Sequence, residues 1–209
     1  ESGRLPLDSR GPFQTIVIRI KSDSDVFHGY DPGSQNLPDV SFLAHRYHDA
    51  LRKAASLIWG ASYVMSLAGN GYIIHANKPS GRRAADGKSR LKRLLAAFEP
   101  ITDRVVIGIS NPAESLNDLK EAFIEARKAA SAAFLVGYGK IIAFAEVSEQ
   151  PFAILPDFEE QLINTMIQGN AAAATGLVKD YVRHMRACTP DDVPKIKEVL
   201  IQIALQISS

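Results

Sequence analysis

The sequence predicts an α+β fold, an α/β sandwich in which helices pack on one mixed sheet, followed by a small helical appendage. Three observations predict it. Short apolar runs and helix-period stripes alternate over residues 13–147 in the order strand, helix, strand, strand, helix, strand, helix, strand. The strand over Arg104–Ile109 is so apolar from Val105 onward that layers must cover both of its faces. After Glu149-Gln150-Pro151 every periodic segment is helical.

The elements follow in order. Residues 1–12 are polar and rich in Gly and Pro, and read as a loose leader to the first strand. Gln14–Ile20 carries the β-branched run Thr15-Ile16-Val17-Ile18 between Pro12 and the Ser/Asp cluster after Lys21, which is a strand signal. Asp23 to Asp39 holds Gly29, Asp31-Pro32-Gly33 and Pro38 and reads as a loop. From Ser41 to Ile58 the period changes, and Phe42, Leu43, Tyr47, Ala50, Leu51, Ala54, Ala55 and Ile58 form one helix face. Ser62–Leu67 and Tyr72–Ala76 are short strands joined through Ala68-Gly69-Asn70-Gly71, where Asn-Gly is a hairpin turn signal because both residues tolerate positive φ. A basic loop from Lys78 leads into a helix carrying Leu91, Leu94, Leu95 and Phe98, stopped by Pro100. After Val105–Ile109, Ser115 is the expected N-cap, with Asp118 set against the positive helix end. The stripe Leu116, Leu119, Ala122, Phe123, Ala126, Ala130, Phe134 then predicts one long helix ended by Gly137 and Gly139, and Lys140–Phe144 a final strand. In the appendage, Asp157 opens a helix, Gly169-Asn170 separates it from a second, and Thr189-Pro190-Asp191-Asp192 starts a third.

Composition narrows the function classes. Hydrophobic content of 46% and charged content of 22% suit a folded chain, and a net charge of +1 gives no global pull toward nucleic acid or anionic membrane. Cys188 stands alone, so no intrachain disulfide can form. No apolar run approaches the roughly 20 residues that span a bilayer, and no signal-peptide pattern is present. The start at Glu1-Ser2-Gly3 and the stop just after an apolar helix pattern read as a piece of a longer protein. A cytoplasmic location is expected for this segment, with a membrane anchor elsewhere as one option for the full-length protein.

The element order through the last strand is that of the ferredoxin-like palm of nucleotide cyclases. The resemblance sharpens at Ile107-Gly108-Ile109-Ser110, followed by Leu116, Leu119, Ala122-Phe123, Glu125-Ala126, Ala129, Gly139 and Ile141-Ile142. This pattern resembles the degenerate GGDEF-like central domain of AraC-type (YesN/YtdP-like) bacterial transcription regulators. Leu155-Pro156-Asp157-Phe158-Glu159-Glu160-Gln161-Leu162-Ile163 with Gly169-Asn170 resembles the helical stretch that follows it in the same proteins. The resemblance implies a degenerate GGDEF-like domain over 13–147. It also implies a three-helix linker region over 151–209 that leads toward a C-terminal DNA-binding domain absent from this chain.

In active GGDEF enzymes an acid at the hairpin tip and an Asp at the end of the first strand hold Mg²⁺ against a triphosphate, because bridging metals neutralise charge that develops in phosphoryl transfer. Alignment on the hairpin puts Ala68-Gly69-Asn70-Gly71-Tyr72 at the name-giving motif, so Asn70 and Gly71 replace both acids. The first-strand metal position falls near Arg19, which would repel a divalent cation. Catalytic residues, metal ligands and cofactors are therefore expected to be absent. An active cyclase is disfavoured by Arg19, Asn70 and Gly71. An RNA-recognition domain shares the element order but needs exposed aromatics that Val105–Ile109 lacks.

Other candidates weigh less. His45 and His48, with Asp49, have a spacing that can hold a metal, but no other ligand motif points to that helix and the solvated reading is preferred. His28, His75 and His184 read as isolated. Lys78, Arg82, Arg83, Lys88, Arg90, Lys92 and Arg93 form a basic stretch for which a solvated face is the preferred reading. Arg82, Arg83 and Lys88 are the candidates should it contact phosphate. The stripe Ile196, Val199, Leu200, Ile203, Ile207 reads first as intrachain core, with Ile196, Leu200 and Ile203 as candidate interface positions of a dimer.

The function expected is a non-catalytic module that relays an environmental signal, with carbohydrate as one option, to a C-terminal helix-turn-helix domain. The resemblance implies DNA as a partner through that absent domain, and an upstream receiver domain or sensor, as in two-component signalling. It implies no direct membrane contact from this segment. The alternative is a stand-alone nucleotide or small-molecule binding module on a catalytically dead scaffold.

Overall fold

The computed structural model describes residues 7, 11–21, 40–67, 71–77, 87–155 and 157–207, and for 40–46, 87, 88 and 207 the backbone alone. The chain forms two compact units, Glu1–Ala133 with Gly137–Glu146 and Phe134–Val136 with Val147–Ser209.

The first unit is built on a five-stranded sheet. Its elements are β1 (Phe13–Ile20), α1 (Val40–Trp59), β2 (Ser62–Leu67), β3 (Gly71–Asn77), α2 (Gly87–Ala96), β4 (Val105–Ile109), α3 (Leu119–Ser131), the short α4 (Ala133–Val136, which runs into the second unit) and β5 (Lys140–Ala143). The strand order is β2-β3-β1-β4-β5. β1 is central and pairs antiparallel with β3 and β4, β2 pairs antiparallel with β3, and β5 lies parallel to β4. The first four strands thus have the ferredoxin-like order, as the element pattern predicts.

Alternation along β1 divides the sheet into two faces. Ile16, Ile18 and Ile20 join Tyr72, Ile74 and Ala76 of β3 and Val105, Ile107 and Ile109 of β4. That face is covered by Tyr47, Leu51, Ala55 and Ile58 of α1 and by Leu94 and Phe98 in and after α2. The opposite face carries Val17, Val106 and Gly108, and α3 lies on it with Ala122, Ala126, Ala129 and Ala130 buried. Helix and strand come unusually close there, because a Cβ on Gly108 would lie 2.2 Å from the Ala126 carbonyl oxygen and 2.4 Å from the Ala130 nitrogen. All of Val105–Ile109 is buried, so this strand is covered on both faces.

The long helix predicted through Phe134 is divided. A 3-10 turn at Leu116–Asp118 precedes α3, and the helix tightens at Ala132 before α4. The Ala132 N–H is shared between the carbonyls of Lys128 and Ala129, both at 3.2 Å, and the Ser131 hydroxyl donates to the Arg127 carbonyl at 3.0 Å. Such back-bonding competes with the helical ladder. Gly137, at φ 93°, ends α4. The last strand stops at Ala143, and Phe144–Glu146 forms a 3-10 turn rather than extending it.

The second unit holds α5 (Phe158–Ile167), α6 (Ala171–Arg186) and α7 (Val193–Ile207). Asn170 caps α6 by accepting from the Ala173 N–H at 3.1 Å. Asp192 ties the segment before α5 to the start of α7 by accepting from the Phe152 N–H at 2.7 Å. The core gathers Phe152, Phe158, Leu162, Tyr181, Met185, Cys188, Ile196, Val199 and Ile203, with the Phe158 and Tyr181 rings stacked at 4.0 Å. Ile196 and Ile203 are buried and Leu200 is half-buried in this core. These candidate interface positions are therefore packing residues of their own unit. Among the described residues, the large apolar side chains that α7 leaves exposed are Ile201 and Leu205. Among the described residues no helix is long and apolar enough to cross a membrane.

Candidate functional site

The hairpin expected around Asn70 forms. β2 and β3 pair antiparallel, with Leu67 opposite Gly71, around residues 68–70. Gly69 and Asn70 lie outside the described residues. Gly71 is the first residue of β3, and it is absent from the glycines at positive φ. Turn conformation, the sequence-based reason for a glycine here, is not what Gly71 supplies. Space is: a Cβ would stand 2.8 Å from the Ile18 carbonyl oxygen. The next residue, Tyr72, turns its ring into the core 6.2 Å from the Phe98 ring.

The ladder between β1 and β3 sets Arg19 directly opposite Gly71. On its other side Arg19 faces Val106 of β4, which pairs with Lys140 of β5. The row across this end of the sheet thus reads Leu67, Gly71, Arg19, Val106, Lys140, with two cations and no carboxylate. Arg19 and Gly71, far apart in sequence and singled out separately from the first strand and from the hairpin, are cross-strand neighbours. A half-buried guanidinium beside a residue with no side chain does not fit a divalent cation, which takes carboxylate and carbonyl oxygens. Among the described residues no three His, Cys, Asp or Glu side chains converge as a metal site.

A polar row on the same face escaped the sequence reading. Thr15 is fully buried, and its hydroxyl lies 3.0 Å from Nδ1 of His75. The Thr15 N–H donates to the Ser110 hydroxyl at 3.0 Å, and the Ser110 N–H donates back to the Thr15 carbonyl at 3.0 Å. Burial holds the His75 imidazole below its ordinary pKa. His75 looked isolated because its partner is distant in the chain, and only strand register brings the two together.

The remaining candidates disperse. Arg82, Arg83 and His28 lie outside the described residues, as do the side chains of Lys88 and His45. Arg90 turns back to the Ile58 carbonyl at 3.5 Å, while Lys92 and Arg93 are exposed. Nδ1 of His48 is 3.8 Å from the Asp49 carboxylate, which is itself largely exposed. His184 reaches the Ala153 carbonyl at 2.9 Å and acts as a tie within the helical unit.

A groove also went unread in the sequence. It runs between the outer face of α1 and strand β2, has a volume of about 820 Å³, and is lined by His48, Arg52, Lys53, Ser56 and Leu57 on one side and Ser62, Tyr63 and Val64 on the other.

The residues that carry the resemblance after β4 have packing duties. The Glu125 carboxylate accepts from the Asn111 backbone at 2.8 Å and from the Asn111 side-chain amide at 3.1 Å, which pins the loop leaving β4. Gly108 gives α3 room to bring the Ala126 backbone against β4. Asp118 accepts from the Ser115 backbone at 3.1 Å and from the Ser115 hydroxyl at 2.8 Å, which fixes the start of the α3 segment.

No curated protein matches the chain. Among solved structures it is similar to an EAL/GGDEF domain protein from M. capsulatus, at 13% identity over 66% of this chain and 88% of that one, with a TM-score of 0.48. It is also similar to the active GGEEF domain of a diguanylate cyclase from Vibrio cholerae, at 16% identity over 65% and 84% of the two chains, with a TM-score of 0.42. A microbial GGDEF domain studied with cyclic di-GMP matches at 16% identity over 64% and 77%, with a TM-score of 0.41. The family profile described as a GGDEF-like domain matches residues 2–132, more than half of the sequence, and the chain therefore belongs to the GGDEF-like domain family.

Proposed function

We propose that this chain is a non-catalytic regulatory module of a bacterial AraC-type transcription regulator, one that passes an environmental signal to a C-terminal helix-turn-helix domain. The observation that carries the non-catalytic reading is the cross-strand pair of Arg19 and Gly71. By the resemblance, phosphoryl transfer on this scaffold takes an acid at the hairpin tip and an Asp near the end of the first strand to hold metal against a triphosphate. A guanidinium there would attract phosphate but expel the cation that makes the phosphate reactive. The regulator context rests on the resemblance from Val105 to Asn170, whose Gly108, Ala126 and Glu125 have packing duties. A scaffold kept for its packing and stripped of its acids suits a part that transmits force or position rather than one that turns over substrate.

The experiment is to read the native coding frame on both sides of this segment and assay the whole protein on its own promoter. Two helix-turn-helix units encoded downstream, with a signal response lost when residues 13–147 are deleted, are the expected outcome. A stop codon soon after Ser209 would remove the DNA-binding role.

A further inference from the structure

β2 is an edge strand, and among the described residues it lacks the usual protections of an edge. Its sequence, Ser62-Tyr63-Val64-Met65-Ser66-Leu67, contains no charge and no proline. Natural sheets blunt such edges with lysine, proline, bulges or a covering element, because an unpaired row of N–H and C=O groups is a template for another strand. The register shows which groups are unpaired. The Asn77 N–H donates to the Ala61 carbonyl at 3.2 Å, which places the odd-numbered positions of β2 in the hydrogen-bonded pairs with β3. The N–H and C=O groups of Ser62, Val64 and Ser66 therefore point away from the sheet, and among the described residues none of them has a partner.

The surroundings of this edge specify what would fit. Val64 turns toward the α1 side of the sheet, where it packs against the core. Beyond it the groove is walled by Arg52 and Lys53 of α1, with His48 and Ser56 on the same wall. Among the described residues no carboxylate pairs with Arg52 or Lys53, and Asp49 lies next to His48 instead. On the other face of the edge stand Tyr63, Met65 and Leu67, an apolar row that continues through Ile73 of β3. An added strand would thus place alternate side chains against cations on one face and against apolar groups on the other.

We propose that the β2 edge and the α1 groove bind an extended acidic segment of a partner protein, in which acidic and apolar residues alternate, by adding it as a sixth strand beside β2. A second copy of this chain is disfavoured as the occupant. Pairing β2 with its own copy would bring two sets of Arg52 and Lys53 together on the same face of the joined sheet, where like charges repel. The inference does not depend on whether the domain turns over nucleotide.

The test uses a fluorescein-labelled peptide alternating glutamate and valine over the length of β2, titrated into the chain and followed by anisotropy. Controls are the same peptide with a central proline, which cannot complete the ladder, and a version with lysine in place of glutamate. Binding of the first peptide alone is expected, with amide exchange slowed at Ser62, Val64 and Ser66. The charge variant R52E/K53E alters two exposed side chains and should weaken binding by about tenfold or more. Ser66→Pro removes one outward N–H, at an exposed edge position where proline is tolerated, and should weaken it as well. Circular dichroism of both variants should match the parent. No binding of the glutamate-valine peptide at millimolar concentration, equal binding of the proline peptide, or unchanged affinity of R52E/K53E would each overturn the proposal. So would a dimer of the free chain that Ser66→Pro dissociates.

Discussion

At Gly108 the lack of a side chain decides how closely α3 can approach the sheet. A methyl group would meet backbone atoms of Ala126 and Ala130 rather than a side chain that could swing away. Gly108→Ala should therefore cost about 3 kcal/mol or more, beyond the usual range for one added methyl. A urea midpoint within experimental error of the parent would contradict this. His75 gives a second prediction at this scale. Its folded pKa lies below the unfolded value because burial disfavours the imidazolium. Above about pH 6.5 both states are neutral and the site contributes no pH dependence. As pH falls through that value the unfolded chain takes up the proton first, so stability is lost downward toward the folded pKa. The urea midpoint should fall over that window, and His75→Gln should flatten the fall; an equally steep fall in the variant would assign it to other groups. Residue identity at Arg19 and Gly71 was legible in the sequence. The reason for Gly71 was not, since a clash with the Ile18 carbonyl exists only once β1 and β3 are in register.

Elements were read well where one physical signal dominated. β1, β2, β3 and β4 follow from β-branched runs bounded by Pro, Gly and polar clusters, and their observed ends lie close to the expected ones. The division between α3 and α4 was not legible. It arises from hydrogen bonds of Ser131 and Ala132 with the preceding turn, in a stretch of alanines whose apolar period runs on unbroken. The stripe on α7 shows the same limit from the other side. Periodicity identified Ile196, Leu200 and Ile203 as one face, but only packing against Phe158, Leu162, Tyr181 and Met185 shows what that face meets. Ile196→Ala should destabilise the helical unit by about 3 kcal/mol, as expected for a fully buried side chain cut back to a methyl. Ile201→Ala, at an exposed position on the same helix, should change stability by less than about 0.5 kcal/mol. Equal losses at the two positions would contradict the assignment of the buried face.

For the whole molecule, the sequence was most informative about the scaffold of the first unit. The fold of the first unit was legible because its element order leaves few sheet topologies open, and the strand order observed is the one expected. Of the candidate site, the identities of Arg19, Asn70 and Gly71 were legible. The groove beside β2 and the Thr15–His75 pair depend on tertiary register and could not be read from local pattern. Membership of the GGDEF-like family then frames one question, namely whether a chain with Arg19 opposite Gly71 can still turn over nucleotide.

The most direct measurement is to incubate the purified chain with GTP and Mg²⁺ or Mn²⁺ and resolve the nucleotides by anion-exchange chromatography, beside an active GGDEF enzyme. The account predicts unchanged GTP, with no cyclic dinucleotide and no pyrophosphate above the protein-free control. Cyclic dinucleotide formed in proportion to the amount of chain would contradict it, because the cations and the bare strand position at Arg19 and Gly71 would then have to support the chemistry they are held here to exclude.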